Sequence, residues 1–269
     1  MNLKPEQLRL YDAAIHAAIE AGTAILHVYD AGFKVDVKAD NSPLTKADRD
    51  AHNVIVKLLQ NTNIPVLSEE GRDIPYDERR EWKRFWMVDP LDGTKEFVKR
   101  NGEFTVNIAL IESGKPVVGV IFVPVTKVLY VGWVGEAAYK MKLTDRYSRL
   151  SYRDITVVGE KLPILRHTSD YRIVGSRSHN SPDTEAFIKK CRQQYEHVRL
   201  VSMGSSLKIC LVAEGQADVY PRFAPTMEWD TAAGHAIAKA AGKNITDWFT
   251  KSEMEYNKPN LLNNWFVVE

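Results

Sequence analysis

The first part of the chain places apolar residues at helical spacing. Between Pro5 and Tyr29 they recur every three or four residues, which predicts a long amphipathic helix. These positions are Leu8, Tyr11, Ile15, Ile19, Leu26 and Tyr29. A polar loop around Asp40-Asn41-Ser42-Pro43 follows, and the pattern then predicts a second helix from near Thr45 to Leu59.

From Ile64 onwards the pattern changes to short β-branched and aromatic runs, which are typical of strands. The runs are Ile64–Ser68, Phe85–Asp89, Phe104–Ile111, Val117–Val123 and Val128–Trp133. The segment Glu112-Ser113-Gly114-Lys115-Pro116 predicts a hairpin connection. Two helices followed by consecutive strands predict helices packed on an antiparallel or mixed sheet. The mixed-sign run Glu78-Arg79-Arg80-Glu81 predicts a solvated helix face.

The segment Leu143–Asp170 is polar and irregular, and we place a boundary there, between a half at 1–145 and a half at 146–269. The second half alternates strand and helix patterns, which is the α/β rhythm of a mostly parallel or mixed sheet. The strands are Tyr171–Gly175, His197–Val201, Ala217–Arg222 and Trp265–Val268. The helices are Asp183–Gln194, Ser205–Glu214 and Glu228–Ala241.

Composition narrows the class of protein. With 269 residues, 44% apolar and 26% charged, the chain suits one large globular domain or two intimate ones. Its 36 basic and 35 acidic residues leave a net charge of +1, which argues against binding of long nucleic acids. A local basic pocket for a small anion is still compatible with that balance.

The cellular setting is also indicated by the sequence. The two cysteines, Cys191 and Cys210, form no disulfide framework, so we expect a reduced, cytoplasmic setting. The N-terminus lacks the apolar run of a signal peptide. The apolar run Val117–Val123 is too short to span a membrane. Peripheral association with the inner membrane stays open, as does the oligomeric state.

Candidate metal-binding and catalytic groups are most concentrated in one segment, at the end of a predicted apolar strand. This segment is Asp89-Pro90-Leu91-Asp92-Gly93-Thr94. Pro90 forces the chain to turn, so Asp89, the Leu91 carbonyl and Asp92 can point at one place. These hard oxygen donors are the ligands that magnesium selects. Gly93 lets the backbone come close to a ligand, and Thr94 and Lys95 can begin a short helix whose free amides face an anion.

Acidic residues at three further places in the sequence strengthen the case for a metal site at Asp89 and Asp92. Ser68-Glu69-Glu70-Gly71 also follows a strand, and only one of its adjacent carboxylates can face inward. Asp230 opens a small-residue helix, where it is either an N-terminal cap or a ligand. Asp48 lies in a segment that resembles a capping box, so cap and catalytic roles are both open. If these acids converge, cations must neutralise them, and two magnesium ions would suit phosphate-ester hydrolysis.

Three segments together resemble the signature of the lithium-sensitive, magnesium-dependent phosphomonoesterases, which include the inositol monophosphatases and the 3′(2′),5′-bisphosphate nucleotidases. They are the acidic pair at Glu69, D-P-L-D-G-T from Asp89 and W-D-T-A-A-G from Trp229. Further runs resemble the bacterial nucleotidases of sulfate assimilation. These runs are Asp40–Asp48, Asp92–Leu110, Gly175–His179, Gly204–Lys208, Ala213–Ala217 and Tyr220–Phe223. Lys95-Glu96, where inositol monophosphatases usually carry Asn, also favours the nucleotidase branch.

The resemblance implies a fold and a set of roles. The fold would be a layered αβαβα sandwich with the site between its halves. The metal ligands would be Glu69, Asp89, the Leu91 carbonyl, Asp92 and Asp230, with Asp48 for a third Mg²⁺ or a water. Asp48 would also orient Thr94. Glu70 would lie next to the metal ligands without binding the metal itself.

The implied reaction is hydrolysis of the 3′-phosphate of adenosine 3′,5′-bisphosphate with two or three Mg²⁺ ions, and 3′-phosphoadenylyl sulfate is a further candidate substrate. A bisphosphorylated nucleotide needs a second anion site. The substrate contacts we expect, besides Leu91, Asp92, Gly93, Thr94 and Asp230, are Ser178, His179, Ser205, Ser206, Lys208 and Arg222.

Other functions remain as alternatives. The same chemistry could act on inositol phosphates or another sugar phosphate, because pocket shape is not visible in the sequence. A nucleotide or metal sensor without catalysis would be a different class, but every acidic motif is present. A Rossmann-type dehydrogenase is disfavoured because no G-x-G-x-x-G follows a first strand.

Overall fold

The computed structural model describes residues 4–31, 35–37, 43–144, 150–165, 169–175 and 181–269. The helices are α1 (Pro5–Ala31), α2 (Lys46–Leu59), α3 (Tyr76–Arg79), α4 (Thr94–Val98), α5 (Tyr152–Val158), α6 (Pro182–Gln194), α7 (Leu207–Ala213) and α8 (Glu228–Ala240). The first strands are β1 (Val35–Val37), β2 (Pro43–Thr45), β3 (Val66–Ser68), β4 (Arg84–Asp92), β5 (Thr105–Glu112), β6 (Lys115–Val123) and β7 (Val128–Trp133). The later strands are β8 (Ala138–Lys142), β9 (Glu160–Leu162), β10 (Tyr171–Gly175), β11 (Val198–Ser202), β12 (Tyr220–Arg222), β13 (Ile245–Asp247) and β14 (Phe266–Val268).

A seven-stranded sheet lies at the centre of the first layers, in the order β3-β4-β5-β6-β7-β8-β9. Strands β3 and β4 are parallel, and the other neighbours are antiparallel. Because successive side chains point to opposite faces of a strand, Trp86 and Val88 pack with α1 and α2. Phe85 and Met87 pack on the opposite face with α7 and α8. The predicted helices on a mixed sheet are confirmed.

The second half adds another sheet and a further helix. Strands β10 and β11 are parallel, β12, β14 and β13 are antiparallel, and a bridge from Ile173 to Val219 joins the two groups. Val174 and Tyr220 face α7 and α8, whereas Ile173 packs with Ile188 of α6. The order of layers is therefore helix, sheet, helix, sheet, helix, which confirms the αβαβα sandwich.

The predicted hairpin between β5 and β6 is confirmed. Ser113 and Gly114 both have positive φ, 48° and 76°, as a type I′ turn requires. This turn matches the right-handed twist of the two strands, which carry the central part of the sheet.

The segment Leu143–Asp170, predicted to be irregular, contains α5 and β9, so that prediction is wrong within its described part. Ser151 starts α5 through a reciprocal cap: its hydroxyl oxygen accepts from the amide of Asp154, and the Asp154 carboxylate accepts from the amide of Ser151. These elements are too short to give a clear periodicity. Strand β9 pairs with β8 and so carries the first sheet beyond residue 145. The division into halves stays a prediction.

The solvated helix face predicted for residues 78–81 is wrong for Arg79, which is only 3% exposed. Its guanidinium donates to Asn257 Oδ1 at 2.8 Å and to the carbonyls of Lys258 and Pro259 at 2.8 and 2.9 Å. The partners lie some 180 positions away, so no local pattern could have identified them.

Several element ends also differ from prediction. Helix α7 begins at Leu207 rather than Ser205, because Ser205 has a positive φ of 48° that a helix cannot continue. The strand predicted from Ala217 begins at Tyr220. Strands β1, β2, β8 and β13 have no counterpart in the predicted elements.

Candidate active site

The end of β4 is distorted where the two aspartates lie. Its pairing with β5 shifts register between Asp89 and Asp92, around Pro90, which has no amide hydrogen to donate. The amide of Leu91 donates to Asp89 Oδ1 at 3.0 Å. The prediction that the strand ends and the chain turns at Pro90 is therefore wrong: β4 runs on to Asp92, with an irregularity that the Asp89 carboxylate stabilises.

Glu69 lies beside Asp89 because of strand topology. Strands β3 and β4 are parallel, with Ser68 opposite Val88, so their carboxyl ends meet at one edge of the sheet. The amide of Glu69 donates to the carbonyl of Val88 at 3.1 Å. Glu69, directly after β3, and Asp89, near the carboxyl end of β4, are therefore on the same edge of the sheet.

Asp230 reaches this edge from the first turn of α8. Its Oδ2 accepts the amide of Met227 at 2.8 Å, which stabilises the start of the helix. Small residues bring α8 close to the sheet: a Cβ added at Gly119 of β6 would lie 2.1 Å from the carbonyl oxygen of Ala233. Asp230 therefore caps the start of α8 and also lies among the acids, so the two roles considered for it are compatible.

Three carboxylates converge at this point. Glu69, Asp89 and Asp230 each offer one oxygen, and these oxygens lie within 4.8 Å of one another. Hard carboxylate oxygens in such a group suit Mg²⁺, and their mutual repulsion favours a cation between them. The donor set therefore fits a magnesium ion. Glu69, rather than the adjacent Glu70, belongs to the group, as expected for neighbours at a strand end.

The electrostatics of the cluster agree with its geometry. Burial raises the pKa of Asp89 well above its usual range, and the charges of Glu69, Asp92, Asp230 and Asp48 raise it further. Burial, followed by the charge of Asp92, raises the pKa of Asp230 to about 8. Without a cation, ionising all of these carboxylates together is costly.

Asp48 belongs to the same neighbourhood. It lies near the start of α2, is 3% exposed and acts electrostatically on Asp89. Its proposed contact with Thr94 stays a prediction. One helical turn later, His52 Nδ1 is 2.9 Å from the hydroxyl of Ser68, which directly precedes Glu69. Helix α2 is therefore attached to the turn that carries the acidic pair.

Asp92 is held from the second half of the chain. The amide of Ser206 donates to Asp92 Oδ2 at 2.5 Å, and the Ser206 hydroxyl donates to Asn107 Oδ1 at 2.9 Å. Burial raises the pKa of Asp92, while the charge of Lys208 and hydrogen bonds from the Ser206 amide and from the side chains of Ser205 and Asn107 oppose the rise. Thr105, whose hydroxyl is 2.8 Å from those of Ser205 and Ser206, completes the network.

A cleft of about 360 Å³ opens beside the carboxylates. Its lining includes Asp92, Gly93, Lys95, Glu96, Lys99, Ser205, Ser206, Lys208, Tyr220, Arg222 and Asp230. Lys208 Nζ donates to the carbonyl of Ser205 at 2.8 Å, and burial lowers its pKa. Arg222 Nη2 donates to the carbonyl of Pro225 at 3.0 Å.

The sequence-predicted set is thus largely brought together. Asp92 and Asp230 line the cleft, and Glu69 and Asp89 converge with Asp230 beside it. Ser178 and His179 lie outside the described residues. Sequence reasoning did not identify Thr105 and Asn107, which hold the serine loop, or Lys95 and Lys99, which line the cleft. The lysine pair had a usable signal, a spacing of four residues just after Gly93.

Comparisons with known proteins agree with this geometry. A model of the inositol monophosphatase family matches residues 6–268. The chain is 47% identical over 264 residues to the 3′(2′),5′-bisphosphate nucleotidase CysQ of Escherichia coli strain K12, covering 96% of this chain and 99% of that protein. It is 48% identical over 256 residues to CysQ of Salmonella typhimurium, covering 93% and 96%.

Solved structures give the same relationship. The crystal structure of CysQ from Bacteroides thetaiotaomicron superposes with a TM-score of 0.88 at 53% identity, covering 96% of this chain and 95% of that one. Inositol monophosphatase II from Staphylococcus aureus has a TM-score of 0.70 at 22% identity, covering 96% and 88%. The latter likeness concerns the fold alone.

Proposed function

Because the chain belongs to the inositol monophosphatase family, we propose that it is a magnesium-dependent phosphomonoesterase acting on adenosine 3′,5′-bisphosphate. Hydrolysis of the 3′-phosphate gives AMP and phosphate. The observation that carries this proposal is the convergence of Glu69, Asp89 and Asp230 beside the cleft. The choice of nucleotide is supported by 47% identity, over nearly the whole chain, to a protein named as a 3′(2′),5′-bisphosphate nucleotidase.

The metal would be held by carboxylates from three elements. Glu69, Asp89, the Leu91 carbonyl, Asp92 and Asp230 are its proposed ligands, and Asp48 would serve a third ion. Bound Mg²⁺ supplies Lewis-acid chemistry, because it offsets the phosphate charge and makes water more acidic. Two or three ions are proposed, in keeping with the number of acids at the site.

The chain's own groups would position the reactants. Asp48 and Thr94 are proposed to orient the attacking water and to accept its proton. The amides after Gly93 would hold the phosphate, since first-turn amides of a helix lack intrahelical partners. The bond from the Ser206 amide to Asp92 would keep that carboxylate aimed at the metal while the nucleotide enters.

The remaining substrate contacts are proposed on the other wall of the cleft. Lys208 and Arg222 would lower the negative potential there, and Ser205 and Ser206 would donate to the nucleotide. Ser178 and His179 are proposed as further donors from the segment that precedes α6. We also propose 3′-phosphoadenylyl sulfate as a second substrate, since it carries the same 3′-phosphate.

The cellular role follows from the same proposal. A bisphosphate nucleotidase of this kind would act in the cytoplasm, in sulfate assimilation, on a small nucleotide. No helix in the described part of the chain is long and apolar enough to cross a lipid bilayer. Sensitivity to lithium is expected as well, because a small monovalent cation can compete for carboxylate sites built for Mg²⁺.

The test is a substrate panel with purified protein. Phosphate release should be measured from adenosine 3′,5′-bisphosphate and inositol 1-phosphate, each with magnesium, with a chelator, and with magnesium plus lithium. We expect the nucleotide to be hydrolysed faster, and only with magnesium. Faster turnover of inositol 1-phosphate would overturn the substrate assignment, and nucleotide binding without phosphate release would indicate a sensor.

A further inference from the structure

A loop near the C-terminus, at residues 257–259, joins the two parts of the chain that carry Glu69 and Asp230. Asn257 is the residue at which they meet. Its amide donates to Glu228 Oε2 at 2.5 Å. Its side-chain Oδ1 accepts from Arg79 Nη1 at 2.8 Å, and its Nδ2 donates to the carbonyl of Arg79 at 2.8 Å. A single residue therefore binds both the start of α8 and helix α3.

On one side of the loop, Glu228 fixes the first turn of α8. It opens the helix two positions before Asp230 and is fully buried. Its carboxylate accepts from the amides of Asn257 and Lys258 and, at 2.6 Å, from Lys258 Nζ. Its own amide donates to the carbonyl of Leu261 at 2.9 Å. Because a buried carboxylate is stable only when its oxygens are paired, these bonds tie the position of Asp230 to the loop.

On the other side, Arg79 fixes the segment that follows Glu69. The guanidinium is buried and donates to the carbonyls of the loop. Its Nε also donates to the carbonyl of Ile74 at 3.3 Å, and Arg72 Nη1 donates to Glu78 Oε2 at 3.1 Å. The segment that leads from the acidic pair to α3 is therefore folded back on itself and anchored at its far end.

The converging carboxylates need such a restraint. One oxygen each from Glu69, Asp89 and Asp230 lies within 4.8 Å of the others, and the ionised groups repel one another when no cation lies between them. Asp89 is fixed inside β4. Glu69, however, follows the short edge strand β3, and Asp230 lies in the first turn of a helix. Repulsion can therefore separate those two acids most easily, and a loop bonded to both of their segments opposes it.

We propose that Arg79, Asn257 and Glu228 form a clamp that positions Glu69 and Asp230 for binding of Mg²⁺. The inference rests on the proposed function, because it takes Mg²⁺ as the bound ion. None of the three clamp residues is among those that line the described cleft, so they act through the two carboxylates. Because the clamp holds the acids together before the cation arrives, less free energy of binding is spent on ordering the site.

The first test is Asn257→Gly, which opens the clamp with little change to the backbone. Asn257 has a positive φ of 72°, which glycine adopts without strain, and glycine keeps the amide that donates to Glu228. Only the side-chain bonds to Arg79 are removed. In calorimetry at a temperature at which the natural protein and the variant are both folded, we expect the Kd for Mg²⁺ to rise about ten-fold.

Asn63→Gly is the matched control. Asn63 also has a positive φ, of 56°, and it precedes β3, at the opposite end of that strand from Glu69. This change should leave the Kd for Mg²⁺ within about two-fold of the natural value. If Asn257→Gly lowers the unfolding free energy but leaves the Kd for Mg²⁺ unchanged, the contact is purely structural and the clamp is overturned.

The second test is a double-mutant cycle. Arg79→Lys keeps the charge but lacks the planar fork of donors, so it should also raise the Kd for Mg²⁺. Combined with Asn257→Gly, it should raise the Kd by less than the product of the two separate effects, because both changes break the same contact. Fully multiplicative effects would overturn the clamp.

Kinetics separate the clamp from the groups that contact the substrate. In Asn257→Gly, the Mg²⁺ concentration that gives half of the maximal rate should rise about ten-fold. KM for adenosine 3′,5′-bisphosphate at saturating Mg²⁺ should stay within about two-fold of the natural value, and a larger rise there would overturn the clamp. If the natural protein binds Mg²⁺ but releases no phosphate from the bisphosphate, the proposed function fails, while the Mg²⁺ titration still decides the clamp.

Discussion

The backbone amide of Ser206 donates a 2.5 Å hydrogen bond to Asp92 Oδ2, across 114 positions of sequence. Asp92 ends the strand that carries the first aspartate, and Ser206 directly precedes α7. One carboxylate is therefore held by the layer opposite to its own strand. Changes at Asp92 should affect the chemistry of the site more than the stability of the fold.

Substitution of Asp92 by Asn tests this separation. Asn keeps an oxygen that can accept from Ser206, so the fold should persist, but it removes the negative charge needed near Mg²⁺. We expect kcat on adenosine 3′,5′-bisphosphate to fall at least about 100-fold, with an unchanged circular dichroism spectrum. Near-normal turnover would contradict the proposed role of Asp92. Glu196→Gln, at an exposed acid outside the cleft, should have no such effect.

Magnesium affinity should depend on pH. The pKa of Asp230 is raised to about 8 and that of Asp89 is also raised, so the metal-free folded chain holds protons that the unfolded chain has released. The stability of the metal-free protein therefore falls as the pH rises towards about 8. Metal binding must displace these protons, so affinity should increase from about pH 6 to about pH 8.5.

Calorimetry in buffers of different ionisation enthalpy measures the protons released. We expect Mg²⁺ binding by the natural protein to release protons at neutral pH. Asp230→Asn should release fewer, because one of the protonated ligands has been removed. A magnesium affinity that is constant over this pH range would contradict the prediction.

Gly119→Ala tests the close approach of α8 to the sheet. The new Cβ would lie 2.1 Å from the Ala233 carbonyl oxygen, so α8 must move. We expect a loss of about 3 kcal/mol of unfolding free energy and a lower kcat, because α8 carries Asp230. Urea denaturation and initial rates measure the two effects.

Gly135→Ala is a suitable comparison for this change. Gly135, unlike Gly119, has a positive φ of 93°, but nothing lies within 4 Å of its added Cβ. Its cost should be only the backbone strain of about 1 kcal/mol, with kcat unchanged. Equal losses for the two variants would argue against helix displacement as the cause.

His235 should make the fold sensitive to acid. It is fully buried, with ring nitrogens 3.0 Å from the hydroxyl of Tyr256 and from Asn244 Oδ1. Burial lowers its pKa from 6.5 to about 4. As the pH falls below 6.5, the unfolded chain takes up the proton first, so stability is lost down to about pH 4.

The comparison is with His235→Gln, which cannot titrate. The unfolding free energy of the natural protein, relative to that variant, should fall as the pH is lowered from about 7 to about 5, with a limit near 3 kcal/mol. Parallel pH dependences for the two proteins would contradict a buried neutral His235.

Much of the architecture could be predicted because its causes are local. The apolar spacing of α1, the strand runs of β4 to β7 and the turn at Ser113-Gly114 depend on neighbouring residues. The acidic motifs are also local, since each acid lies at or near the end of a strand or in the first turn of a helix. The layered order, by contrast, was predicted from family resemblance rather than from periodicity.

Only the tertiary structure shows which charged side chains are already hydrogen-bonded to other groups of the protein. Arg79 looks like a surface residue in sequence, yet it is buried because its carbonyl partners come from residues 258 and 259. Lys208 and Lys95 are equally basic in sequence, but only Lys208 is held by neighbouring carbonyls. Such differences depend on contacts between distant segments and on solvent exposure. Spacing along the chain identifies the candidate metal-binding acids, whereas packing decides which charged side chains are buried and what they pair with.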